Sequence, residues 1–132
     1  MADSVPRMLA EFRFTRLHAT EDGASRFSDA VVALDQGLEA PPAQPQRMGM
    51  LGDATATFVV HGDREWGGDV PHPAPARLLF TILRGAYEVT TSEGEARTFR
   101  PGDMLLVEDL TGRGHSTRSL ADDSTAQVTR LA

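Results

Sequence analysis

"RLLFTILRGAYEVTTSEGEARTFRPGDMLLV", residues 77–107, decides the fold by its punctuation. "RLLFTIL" (77–83) is a nearly continuous apolar run, the pattern of a buried strand. Arg84-Gly85 turns it. "AYEVTTS" (86–92) alternates and reads as a half-buried strand. "EGE" (93–95) turns the chain again, and "ARTFR" (96–100) follows. Pro101-Gly102-Asp103 is a tight turn in which proline presets φ. "MLLV" (104–107) is a further short buried strand.

The same reading extends outward. "EFRFTRLHAT" (11–20) alternates, which places Phe12, Phe14 and Leu17 near one face. Gly23 closes a turn, and "SRFSDAVVAL" (25–34) resumes an extended pattern. "EAPPAQPQ" (39–46) carries three prolines and predicts a loop crossing a sheet edge. "ATATFVVHG" (54–62) predicts a strand, and "DREWGGDVPHPAPA" (63–76) a loop stiffened by Pro71, Pro73 and Pro75. Past residue 107, "EDLTGRGHSTR" (108–118) holds two glycines and a histidine. "AQVTRL" (126–131) predicts the last strand. Only "PRMLAEF" (6–12) offers a turn or two of helix. Many short strands spaced by Gly, Pro and Asp turns argue an all-β barrel or sandwich.

The chain has 132 residues, the size of one domain: N-terminal strands over 11–35 and a core over 54–131. A net charge of −6 argues against a nucleic-acid partner, because phosphate binding needs a basic face. The absence of cysteine excludes disulfides, thiolate metal sites and a cysteine nucleophile. No stretch has signal-peptide character or approaches the ~20 apolar residues of a membrane span. The expectation is a cytoplasmic protein without membrane contact. Ser116 lacks the strand-to-helix turn of a hydrolase nucleophile, and no glycine-rich loop opens a helix for phosphate.

The succession of hairpins over 77–107, with Gly85, Gly94 and Pro101-Gly102-Asp103, resembles the cupins, small jelly-roll β-barrels. Gly112-Arg113-Gly114-His115 is similar to that family's glycine, two residues, then histidine. The resemblance covers residues 57–120 and implies a single-domain jelly-roll barrel that forms a homodimer through its N-terminal strands. It also implies that His115 points into the barrel. Metal-binding cupins carry two histidines separated by one residue, then a glutamate, ahead of the first hairpin glycine. Those places fall near His72, Ala74 and Leu78, so one histidine is kept and the carboxylate is replaced by leucine.

The candidate site follows. His115 is the candidate acid or base, and Asp109 a carboxylate that would orient it and favour its charged form. At most one of the neighbours Glu108 and Asp109 faces the interior, since alternate residues of a strand point oppositely. His72 is the second polar group at the mouth. Trp66, in the glycine-bordered loop, with Phe80 and Tyr87, would line the pocket. Arg77 and Glu108 are candidate substrate contacts, Arg77 because its fork matches a carboxylate. If a divalent metal (Zn, Fe, Ni or Mn) is bound, His72 and His115 would hold it with His61 or Asp109, and such a site needs three or four protein ligands. Leucine in the carboxylate position shifts the expectation toward chemistry without a cofactor. The leading expectation is an acid/base isomerase, cyclase or lyase acting on a small carbonyl-bearing metabolite. The alternatives are a metal-dependent dioxygenase or decarboxylase, and a non-catalytic module that binds a small ligand.

Overall fold

A computed structural model of the chain describes residues 10–132, which fold as eleven strands with no helix among them. In chain order they are β1 (Ala10–Ala19), β2 (Ser25–Leu34), β3 (Gln36–Ala40), β4 (Ala43–Met48), β5 (Ala54–Gly62) and β6 (Leu78–Arg84). Then come β7 (Tyr87–Thr91), β8 (Ala96–Phe99), β9 (Met104–Glu108), β10 (His115–Ser119) and β11 (Ser124–Leu131). The start of "PRMLAEF" lies outside the described residues, and its last three residues belong to β1. With no helix, none of the described residues forms one long and apolar enough to cross a membrane.

Six strands form one mixed sheet in the order β2-β1-β9-β6-β11-β5, and three form a second in the order β10-β7-β8. Only β1 and β9 pair in parallel; every other neighbour pair is antiparallel. The ladders of the described residues close no barrel: the large sheet ends at β2 and β5, and the small one at β10 and β8.

The apolar run 77–83 is continuous because both faces of β6 are covered. Ile82 joins Leu17, Leu105, Val107 and Ala126 on the face that meets Tyr87, Val89 and Phe99 of the small sheet. Leu79 joins Leu106 and Leu131 on the opposite face, with Phe14 packed against them. Phe14 and Leu17 therefore lie on opposite faces, not on one as the alternation of 11–20 had predicted. Their spacing of three is odd, so a regular strand must split them.

The proline stretch 39–46 is also not a loop. It is the turning end of a hairpin, β3 against β4, nearly all of it exposed. Pro45 is tolerated because this ribbon has two strands, and because the register slips between Leu38 and Ala40, opposite Pro45. A proline at a bulge breaks no ladder bond.

Candidate functional site

A cavity of about 480 Å³ lies between the two sheets. Its walls come from β5, β6, β9 and β11 on one side and β7, β8 and β10 on the other, with residues of the loop 63–76 at its rim. The lining is apolar and aromatic except for His61, His72, His115 and Thr117. Alternation explains the walls. Leu78, Phe80 and Ile82 of β6, and Leu105 and Val107 of β9, take the inward positions of their strands.

The same parity separates Glu108 from Asp109. Glu108 is the residue after inward Val107 and sits on the other face, where Arg16 (2.7 Å) and Arg77 (2.8 Å) each donate to one of its oxygens. Burial pulls the Glu108 carboxyl upward, but hydrogen bonds and charge from the two arginines outweigh this and hold it below its ordinary 4.5. Arg77 also donates to the carbonyl of Ala132 (2.8 Å). Neither Arg77 nor Glu108 lines the cavity, so the structure does not support them as substrate contacts.

β9 ends at Glu108, and the chain turns so that Asp109 is fully buried. Its Oδ2 lies 2.6 Å from Nδ1 of His115, itself 6% exposed. Asp109 Oδ1 has no hydrogen-bond partner among the described residues. A carboxylate can only accept, so Nδ1 carries the shared proton and Nε2 is the nitrogen left to meet a ligand. A short bond to a buried anion is also a strong one.

The backbone that presents this pair is held from three sides. Gly114 has φ of +74°, and a Cβ placed there would lie 2.1 Å from the carbonyl carbon of His72. Only glycine allows that approach. The Gly114 carbonyl accepts from the buried Ser25 hydroxyl (2.7 Å). His72 and His115 form a β-bridge, each N–H donating to the other's carbonyl at 3.0 and 3.1 Å. Ala74 N–H donates to the Asp109 carbonyl at 2.9 Å.

The prolines of "VPHPAPA" now have a structural reason. Pro71, Pro73 and Pro75 fall at the positions that need no donor, while His72 and Ala74 between them supply one each. The segment carries one isolated bridge, which lays His72 beside His115 with ring centroids 5.2 Å apart. His72 Nδ1 meets the Pro73 carbonyl at 2.9 Å and must be the donor, so its Nε2 is also the free nitrogen.

Trp66 stands at the rim, 44% exposed, edge-on to Tyr87 with centroids 6.4 Å apart. A Cβ on Gly68 would lie 2.3 Å from the indole and one on Gly62 3.2 Å, so the glycines around it make room for the ring. Tyr87 is a wall and not an acid: its hydroxyl donates to the Ser124 carbonyl (2.7 Å), and burial, with the Asp123 charge, raises its pKa. Phe80 also lines the wall.

His61 reaches the cavity but pairs with Asp123 at 3.3 Å, and its side chain is 55% exposed. Among the described residues no three His, Asp or Glu side chains gather as a group able to hold a metal. His72 and His115 are two donors, and the carboxylate beside them, Asp109, lies on the Nδ1 side of the His115 ring. This donor set does not fit a metal's need for three or four protein ligands. Thr117 was missed from the sequence; it is two residues beyond His115 on β10, and period two would have found it.

Compared with protein-family models and with curated proteins, the chain matches none.

Proposed function

We propose that the cavity is the active site of a cofactor-independent acid/base enzyme, an isomerase, cyclase or lyase acting on a small carbonyl-bearing molecule. The observation that carries this reading is the buried Asp109–His115 pair at 2.6 Å on the wall of an otherwise apolar chamber. A buried carboxylate with one oxygen unpartnered is costly to the fold, and a catalytic role is one reason a fold retains such a group.

In the proposed step His115 Nε2 takes a proton from the carbon next to the substrate carbonyl. The C–H electron pair moves into the new C=C bond, and the carbonyl π pair moves onto oxygen as an enolate. Asp109 holds the ring by Nδ1–H and stabilises the imidazolium that forms. His72, whose ring centroid lies 5.2 Å from that of His115, is the second polar group facing the substrate. Where a β,γ double bond extends the enolate, return of the proton from His115 to the γ-carbon completes an isomerisation. Where the β-carbon bears a leaving group, the oxygen pair re-forms the carbonyl and the α,β double bond forms. The group departs with its electron pair and takes the proton from His115, completing an elimination.

The fold supports the proposal that the chain is a small cupin of jelly-roll type: the hairpins over 77–107 and a cavity between facing sheets both agree with it. We also propose pairing with a second copy through the N-terminal strands, where β2 leaves an open edge. The catalytic reading is tested in D2O by NMR, following loss of the α-proton signal of a bound cyclic ketone. The wild type should speed this exchange and His115→Gln should not; equal rates would defeat it.

A further inference from the structure

Resting on that acid/base reading, we infer that the substrate is an uncharged, largely apolar ring compound of about three rings that presents to His115 either the α-C–H beside a carbonyl or one hydroxyl. Size is the first argument. A dry apolar cavity of roughly 150 Å³ takes one benzene ring. The chamber here is about 480 Å³, about three times that. Lining is the second. Phe58, Phe80, Tyr87 and Phe99 line the chamber, and Trp66 stands at its rim, so ring faces and edges meet a ligand from several directions.

Charge is the third argument, and it reverses the expectation for Arg77. Its guanidinium, with that of Arg16, is committed to Glu108 on the far face of the sheet. Arg84 is paired with Asp123 at 3.3 Å. Among the described residues no arginine lines the cavity, and Leu78 is part of its wall. A carboxylate or phosphate entering the chamber would lose its water against apolar side chains, beside the buried Asp109. A neutral ketone or phenol loses little: a phenol hydroxyl can donate to His115 Nε2, and a ketone sets its α-C–H there.

Calorimetric titration of the full chain at pH 8 tests this with 1-tetralone and anthrone, neutral ring ketones, and with 1-naphthoate, a carboxylate on a two-ring skeleton. Both ketones should bind saturably, and naphthoate at least about tenfold more weakly. In Leu78→Arg, which adds a cation to the wall, naphthoate should gain and tetralone lose. The wild-type comparison decides even if that variant does not fold. Naphthoate binding as tightly as tetralone, or no saturable ketone binding, overturns the inference. The readout is binding, not proton transfer. Tetralone bound without exchange therefore leaves the substrate class standing and counts against the acid/base reading alone.

Discussion

Gly114 shows how much one residue contributes to the site. Its backbone touches the His72–Pro73 peptide, its φ is left-handed, and its carbonyl is held by Ser25. Gly114→Ala would add strain from the φ and a collision with backbone that cannot rotate away. The expected loss is on the order of 2–4 kcal/mol in chemical denaturation, together with displacement of His72 from His115. A change below about 0.5 kcal/mol would show that the contact is looser than described. Asp109 and Glu108 teach a related lesson. Adjacent carboxylates look alike in sequence, and strand parity says only that they part. Which one turns inward depends on the phase of β9, set by Leu105 and Val107 packing inward.

At the scale of elements, the alternating strands and glycine turns of 77–107 were legible, because period two and glycine chemistry are local. The hairpin of β3 and β4 was not, because three prolines argue against a ladder, and only the observed register slip shows how they fit. The proline-rich strip 71–75 was legible as stiff, but not as paired: which of its residues must donate is decided by the carbonyls of His115 and Asp109. The partner of Arg77 was not legible, because Glu108 lies thirty-one positions away. That ion cluster ties β1, β9 and the start of β6, and it carries a pH signature. The folded Glu108 pKa lies below its ordinary 4.5. Its stabilisation is therefore present above about 4.5 and is lost as pH falls through the lower folded value. Glu108→Gln should reduce stability by about 1 kcal/mol at pH 7, with the difference shrinking toward pH 3. Denaturation curves at both pH values check this; a pH-independent difference would contradict it.

For the whole molecule, two sheets face one another across a chamber that is apolar everywhere except at its histidines and Thr117. The candidate chemistry was legible as residue types, because His115 follows a Gly-x-Gly turn and carboxylates precede it. The enclosure was not, since it needs walls from seven strands at once. The large sheet still has open edges, and pairing through the N-terminal strands predicts a mass near twice 14.3 kDa in sedimentation equilibrium. A monomer at concentrations of tens of micromolar (about 10⁻⁵ M) would remove that part of the proposal.

The most direct measurement is the rate of α-proton exchange of 1-tetralone in D2O, compared by NMR for wild type, His115→Gln and His72→Gln. With the ketone shown by calorimetry to be bound, the wild type should exceed buffer by about 10²-fold or more, the usual worth of a positioned base. His115→Gln should fall to the buffer rate, and His72→Gln to a value between the two. Exchange by His115→Gln at the wild-type rate would contradict the account, because the Asp109–His115 pair would then have no part in moving the proton.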